Sequence, residues 1–426
     1  MSLGALFLAA LAAVGLPLFV ALGGLTMLGY VSLDSDIQNL VIEMSAVASA
    51  PALVAIPLFT FAGYLMADSG TPSRLVRVAR ATVGWMPGGI AVVAVVACAF
   101  FTAFTGASGV TIIALGGLLF PILQKEGFPE KFSLGLLTSG GSLGLLFPPS
   151  LPVILYAIVA GGNGASVDID RLFTASLLPG ILLVLFMAAY SAFVALRSPE
   201  VKRIPFEVKE LLGAIREARW ELPLPVLILW GIYGGWLTVN EAAILTVLIA
   251  LVVECALYRD LHFIRDVPRL AVKSVVLVGA ILMILGVALG LTDFMVTAGI
   301  PDLILETIQA NVSSRTGFLL ALNLFLLVVG CLLDIFSAII VVVPLIIPLA
   351  NAYQVDPLHL GVIFLTNLEI GYLTPPVGMN LFLSAFRFQR PLLSLYRAAI
   401  PFITVLLLAL AVITYVPELS LMLLSR

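Results

Sequence analysis

Charge is what this chain has least of. Only 11% of its 426 residues are Asp, Glu, Lys or Arg, less than half the share, about 25%, of an ordinary soluble domain. A surface that poor in charge does not hold a globular domain in water, and a net charge of −3 supplies no basic face for a polyanion. A soluble globular protein, a disordered chain and a nucleic-acid partner are therefore excluded. Histidine is nearly absent: only His262 and His359 occur, and their separation leaves no imidazole-based metal centre. The cysteines, Cys98, Cys255 and Cys331, lie inside apolar runs without ligand spacing and read as small hydrophobes. The N-terminus lacks a positive leader and a clear cleavage motif, so its apolar stretch reads as a retained first helix.

Apolar side chains make up 62% of the sequence, with a mean hydropathy of +1.18. A membrane span needs about 20 of them in a row. Apolar runs cover 3–30, 45–67, 87–124, 133–161, 172–196, 222–238, 242–258, 272–292, 316–351, 358–385 and 397–416. Unbroken runs of helix length, in place of short alternating segments, define an all-α polytopic protein embedded in a lipid bilayer and exclude an outer-membrane barrel. Most cations collect in four loops: Arg74, Arg77 and Arg80; Arg197, Lys202, Arg203, Lys209, Arg216 and Arg219; Arg259, Arg265, Arg269 and Lys273; Arg387, Arg390 and Arg397. The alternate loops carry Asp34, Asp36, Asp168, Asp170, Asp302, Glu306 and Asp356. The positive-inside rule puts the basic loops in the cytoplasm, with the N-terminus inside and the C-terminus outside. Counting crossings, 87–124 enters and returns to the inner face, and 316–351 leaves and returns to the outer face. Each is too long for one pass, so each turns within the membrane, as two full spans or as a span plus a re-entrant hairpin.

A gap-free shift of 227 residues superposes the two halves, placing Pro121 on Pro348, Gly144 on Gly371, Leu146 on Leu373 and Pro148-Pro149 on Pro375-Pro376. The first copy is flanked by basic loops and the second by acidic ones, so the repeats are inverted. Inverted repeats with interrupted helices are the architecture of secondary transporters, whose sites form near the midplane. A Pro-Pro pair removes backbone donors and leaves carbonyls that need water, protein or a cation.

Four stretches carry the chemistry. Thr105-Gly106-Ala107-Ser108-Gly109 lies inside the first in-and-back unit; its small residues permit a tight turn, or close helix packing, and its hydroxyls suit a hard cation or an anionic substrate. The paired breaks are Gly140–Ser150 and Gly371–Asn380, where Gly144, Phe147, Gly371 and Thr374 can aim oxygen at Na⁺, or which merely kink the helices. Asp334, in the second in-and-back unit, is an ionisable residue at membrane depth, and so a site candidate, or at the interface; Asn367 and Glu369 raise the same question one helix later. Residues 198–221 alternate charge with apolar side chains and read as an amphipathic cytoplasmic connector or a solvated linker. Gly106-Ala107-Ser108-Gly109 and Gly140-Gly141-Ser142-Leu143-Gly144 imitate serine-hydrolase motifs, but neither histidine lies in a span that faces Ser108, so an intramembrane protease is a remote alternative and no catalytic residue is assigned.

The segments 100–109 (FFTAFTGASG), 146–156 (LFPPSLPVILY), 330–334 (GCLLD) and 374–382 (TPPVGMNLF) resemble the large membrane subunit of tripartite ATP-independent periplasmic (TRAP) transporters, over essentially the whole chain. The resemblance implies a Na⁺-driven importer of organic acids (C4-dicarboxylates, sialic acids or related carboxylates) in the inner membrane of a bacterium or archaeon. It implies two partners, a small four-helix membrane subunit and a periplasmic substrate-binding protein. It implies an elevator-type fold with two re-entrant hairpins, inside 100–124 and 330–350, that cradle substrate and Na⁺. By the same resemblance one Na⁺ site maps to Thr105, Gly106, Ser108, Gly144, Phe147 and Pro149. The second maps to Gly330, Gly371, Thr374 and Val377, with Asp334, Ser337 and Asn380 for substrate. Thr105 and Ala107 stand where the family often has serine. The corresponding units are scaffold helices over 1–86, a transport repeat over 87–161, scaffold and connector over 162–312, a second transport repeat over 313–386, and a scaffold helix over 387–426. A stand-alone Na⁺- or H⁺-coupled anion carrier of similar design is the alternative.

Overall fold

The computed structural model describes residues 16–34, 36–48, 51–86, 88–162, 164–198, 206–300, 303, 306, 308, 312 and 314–424. The start of the first apolar run, connector residues 199–205 and Asp302 lie outside them. Every regular element among the described residues is helical.

The chain opens with α1 (Leu18–Ser32), α2 (Gln38–Ala48), α3 (Ala55–Asp68) and the amphipathic α4 (Thr71–Val83). A first hairpin, α5 (Gly89–Thr105) and α6 (Ser108–Lys125), is followed by α7 (Glu130–Gly140), an irregular break, α8 (Leu151–Gly162) and the long α9 (Ile169–Arg197). The connector helix α10 (Val208–Glu217) leads to α11 (Pro223–Tyr233), to α12 (Val239–Leu251), which runs into a π turn over Val252–Leu257, and to α13 (Asp266–Thr297). A second hairpin, α14 (Arg315–Leu332) and α15 (Ile335–Ala352), precedes α16 (Pro357–Gly371), a second break, α17 (Met379–Phe388), α18 (Leu392–Tyr415) and the short α19 (Glu418–Leu421). Seven helices among the described residues are long and apolar enough to cross a membrane.

Local chemistry sets the ends. Asp356 caps α16 by accepting from Leu358 N (2.8 Å) and His359 N (3.3 Å), with Pro357 in the first turn. Thr238 and Glu241 form a capping box on α12. Gly106 (φ 63°) stops α5 in the left-handed region. Along α13, Leu270, Ser274, Val278, Ile281, Leu285 and Ala288 are buried at helical spacing, whereas Val272, Val275 and Val276 are exposed. In a bilayer that apolar stripe faces lipid.

The 227-residue shift holds at the level of helix boundaries. α5 ends at Thr105 and α14 at Leu332; α6 runs from Ser108 to Lys125 and α15 from Ile335 to Ala352; α7 begins at Glu130 and α16 at Pro357. Both Pro148-Pro149 and Pro375-Pro376 are cis. The copies interlock: α8 packs along α15 as α17 packs along α6, and α18 lies on α7 while α9 lies on α16. Among the remaining helices α1 packs on α13 as α12 packs on α3, while α4 and α3 lie on α5 and α13 on α15. The sequence-based boundaries at 162 and 387 assign α9 and α18 to a scaffold; their packing sets them against the repeats.

Every ion pair among the described residues lies at one end of the molecule. Arg77 pairs with Glu210 and Glu217, Arg80 with Glu126, Arg269 with Asp68 and Asp266, Lys273 with Asp68, and Arg390 with Glu130. Arg74 joins Glu221, Glu254 and Asp260 there. The four basic loops thus share a face, and the first hairpin enters from it and returns to it. The second hairpin opens at the other end, where Phe318 stacks on Tyr353 and the Tyr353 hydroxyl donates to Val312 O. The two repeats are inverted. At their centre α7 and α16 are buried almost all round, from Phe132 to Gly140 and from Leu358 to Gly371, as helices without a lipid-facing side must be.

Candidate functional site

The two hairpins approach from opposite ends, and their tips line one cavity of about 500 Å³. The first tip contributes Gly106 to Val110, the second Asp334 to Phe336. Leu277, Ala280, Ile281 and Ile284, the middle turns of α13, form the facing wall. Both turns therefore lie level with the centre of a 32-residue helix, which settles the in-and-back units as re-entrant hairpins. Tyr64, Ser108, Asp334 and Tyr372 bring polar groups into an otherwise apolar lining.

Asp334 caps α15, accepting from Phe336 N and Ser337 N at 3.1 Å each and from the Ser337 hydroxyl. Its carboxylate is thereby fixed at the cavity edge. Ser337 is buried behind it. Asn380 is buried and turned to α7, donating to Thr138 O at 3.4 Å, and lies outside the cavity lining. The Tyr372 hydroxyl accepts from Ile335 N and ties the second break to the second tip.

At the first break, Gly144 presses on α5: a Cβ there would stand 2.1 Å from Ala99 O and 2.5 Å from Ala103 N. Gly106 packs against Leu151, where a Cβ would meet the side chain at 2.6 Å. Thr105 and Ser108 are buried. Phe147 turns outward onto Gly180 of α9, and Pro149 is buried. At the second break, Gly371 presses on Gly330, Gly378 N donates to Cys331 O (3.1 Å), and the Thr374 hydroxyl donates to Gly371 O (2.8 Å). The equivalence is residue for residue, since Ala103 and Gly144 become Gly330 and Gly371 after 227 positions. Pro375, Pro376 and Val377 are exposed, whereas Pro148 and Pro149 are buried, so the breaks match in backbone and differ in surroundings.

The carbonyls are less bare than the proline pairs imply. Gly144 O accepts from Phe147 N (3.0 Å), Phe147 O from Ser150 N (3.0 Å) and Gly371 O from Thr374 N (3.0 Å). Gly144 O and Phe147 O each keep a second lone pair, which suits a hard cation that collects many weak oxygen ligands, whereas Gly371 O also accepts from the Thr374 hydroxyl. Motif reading missed Thr102, whose hydroxyl contacts Gly141 O (2.8 Å), Cys98 O (2.8 Å) and Thr111 Oγ1 (2.7 Å) and stitches the hairpin to the break. It also missed Tyr372 and the α13 wall. Only the wall was beyond reach, because nothing local marks an apolar helix as a cavity side. His359 Nε2 donates to Thr414 O (3.3 Å) and Nδ1 shares a hydrogen bond with Ser420 Oγ (3.1 Å) near the acidic end, and the ring makes no pair with Ser108.

Inverted helical hairpins closing on a central cavity in a multi-span bundle define a membrane transport protein. The model of the DctM component of the tripartite ATP-independent periplasmic transporters matches residues 5–419, and the chain belongs to that family. It is 34% identical to the C4-dicarboxylate TRAP transporter large permease protein DctM of Pseudomonas aeruginosa, over 94% of this chain and 92% of that one. It is 32% identical to the isethionate TRAP transporter permease protein DctMQ of Oleidesulfovibrio alaskensis, over 95% of this chain and 63% of that protein. The crystal structure of the Alcanivorax borkumensis YdaH transporter shares the fold, with a TM-score of 0.63 at 14% identity, covering 88% of this chain and 86% of that one.

Proposed function

We propose that this chain is the carrier subunit of a Na⁺-coupled, binding-protein-dependent importer of organic acids in the inner membrane. The observation that carries the reading is the convergence of Gly106–Val110 and Asp334–Phe336, from opposite ends, on a single cavity against α13. On this reading substrate occupies the cavity beside Asp334, which Ser337 positions from behind, and Asn380, turned to α7, does not reach it. One Na⁺ sits in the first break among Thr105, Gly106, Ser108, Gly144, Phe147 and Pro149, and a second among Gly330, Gly371, Thr374 and Val377. With no cationic side chain in the lining, an anionic substrate draws its compensating charge from Na⁺, which makes coupling obligatory. Relatives named for C4-dicarboxylate and isethionate support an anionic substrate.

The mobile unit is α5–α9 with α14–α18, and it slides as an elevator along a scaffold of α1–α4 and α10–α13, with the sliding surface where α4 and α3 meet α5 and where α13 meets α15. The basic loops face the cytoplasm. The partners are a small four-helix membrane subunit and a periplasmic binding protein; the DctMQ relative, of which the matched stretch is 63%, leaves room for a further component in one chain. Reconstituted with both partners, the chain is expected to accumulate substrate only under an inward Na⁺ gradient. Uptake of equal rate in choline overturns the coupling, and uptake without a binding protein favours the stand-alone carrier.

A further inference from the structure

The cavity wall continues toward the basic end. Gly109, Val110 and Ile113 of α6 and Met379 and Leu383 of α17 line the cavity. Both helices run from there to the basic loops side by side, and glycine sets how closely they lie. A Cβ on Gly109 would stand 2.6 Å from Leu383 Cδ1, one on Gly116 2.9 Å from Phe388 Cζ, and one on Gly117 would overlap the Arg387 guanidinium. Gly117 follows Ile113 by four residues, as Arg387 follows Leu383. Each pair therefore shares a helix face, with its second member about 6 Å further along the axis. One turn beyond the cavity, on the same stripe, the seam changes from apolar to cationic. Arg387 is exposed, and among the described residues it forms no ion pair and no side-chain hydrogen bond, whereas Arg390 is paired with Glu130.

The inverted copy of this seam ends differently. After the shift of 227, Gly117 and Arg387 correspond to Pro344 and Ala160, both buried where α15 packs along α8. The outer seam is closed and apolar, and the inner seam carries a cation without a counter-ion. No cationic side chain lines the cavity itself. A carboxylate that leaves it for the cytoplasm gives up the charge of its Na⁺ before water fully surrounds it, which is costly. A guanidinium one turn away, with its donors free, is placed to take that carboxylate over. We propose that Arg387 is a specificity-determining residue of the cytoplasmic mouth: it receives the carboxylate of the departing substrate, and it has no counterpart on the outer side. The proposal rests on the reading of the chain as an importer of organic acids, and adds a substrate contact on one side of the membrane only.

The test uses proteoliposomes that carry the full-length chain and its small partner, with Na⁺ equal on both sides and the binding protein added outside, so that only outward-facing copies are loaded. Labelled succinate, sialic acid or pyruvate outside exchanges against the same unlabelled acid inside, whose concentration is varied. The wild type is expected to exchange at least one of the three. In Arg387→Gln the half-saturating internal concentration is expected to rise about tenfold, the scale of one charge-assisted hydrogen bond, while the external value stays at that of the wild type. Arg387→Lys is expected to regain most of the loss. Arg397→Gln, which removes an exposed cation of the same face outside the seam, is expected to match the wild type on both sides. An unchanged internal value in Arg387→Gln, an equal rise on both sides, or the same rise in Arg397→Gln overturns the proposal. A wild type that exchanges none of the three acids overturns instead the reading as an importer of organic acids.

Discussion

Gly330 and Gly371 lie backbone against backbone: a Cβ on Gly371 would stand 2.6 Å from both the Cα and the carbonyl carbon of Gly330. The same contact occurs 227 residues earlier, between Ala103 and Gly144. In each repeat an interrupted helix thus meets the backbone of the first arm of its hairpin, with no side chain between them at Gly371 and with Thr102 Cβ beside the contact at Gly144. Such an approach brings two sets of backbone oxygen into one small volume, which neutral-ligand cation sites require.

The contact makes a steric prediction. Gly144→Ala and Gly371→Ala have no space for the added methyl, and the clashing atoms are backbone, so the hairpin must shift. Each is expected to lose about 1–3 kcal/mol, seen as a lower unfolding midpoint, together with Na⁺-dependent uptake. Gly279→Ala, where a Cβ meets nothing within 4 Å, is expected to leave both unchanged.

Thr102 makes a chemical one. Thr102→Val keeps the shape and leaves Gly141 O and the Thr111 hydroxyl short of a partner at a fully buried position. The expected cost is about 1–3 kcal/mol, with a several-fold higher Na⁺ requirement for uptake. An unchanged Na⁺ curve would remove Thr102 from the support of the first site.

How far these contacts were legible in the sequence depends on their origin. The shift of 227 was readable from Gly144, Gly371 and the proline pairs, and it carries through to helix ends, because a repeated backbone needs its breakers at repeated positions. The hairpins were legible as in-and-back units from the basic loops, but the choice between two spans and a re-entrant turn was not. It rests on which turns of α13 face Ser108 and Asp334, a tertiary fact. That α9 packs on α5 and α16, and α18 on α7, was likewise invisible, since Ile169–Arg197 and Leu392–Tyr415 read as ordinary apolar spans. Asn380 shows a further limit: its motif position was plain, and the direction of its side chain, toward Thr138, was not.

If the repeats slide as a unit along α13, tethering a hairpin tip to that wall stops transport. Ala107 and Ala280 both line the cavity, one on each side. A cysteine pair at these positions, in a background lacking Cys98, Cys255 and Cys331, is expected to lose nearly all uptake after a short bifunctional thiol reagent, while Na⁺-induced stabilisation persists. Either single cysteine is expected to retain uptake under the same treatment. Full uptake by the cross-linked pair would rule out a moving interface there.

At the basic end Arg74 holds α4, the turn before α11, the π turn after α12 and the loop beyond it, through Glu221 (2.5 Å), Glu254 (3.1 Å) and Asp260 (2.7 Å), with its guanidinium 3.9 Å from the Tyr258 ring centroid. Burial pushes the Glu221 carboxyl above the ordinary range, and hydrogen bonds and charge from Arg74 and Thr71 only partly oppose this. Burial acts to lower the Arg74 pKa, but hydrogen bonds to Asp260 and Glu221 outweigh it, so the guanidinium stays charged. A carboxyl with a raised folded-state pKa contributes stability that is fully present below its unfolded value and is lost as pH rises through the folded one. Replacing Glu221 by Gln removes that titration, so the variant's stability relative to wild type is expected to improve as pH rises from 5 to 8. The scale is about 1.4 kcal/mol for each pH unit that separates the folded from the unfolded pKa. Arg74→Ala strands three acids instead; it is expected to cost about 3–5 kcal/mol at high pH and less at low pH, where the Glu221 carboxyl, already raised by burial, takes up a proton. Unfolding midpoints of the three proteins across that range decide the matter, and parallel pH profiles would show that the clasp is held by packing rather than by charge.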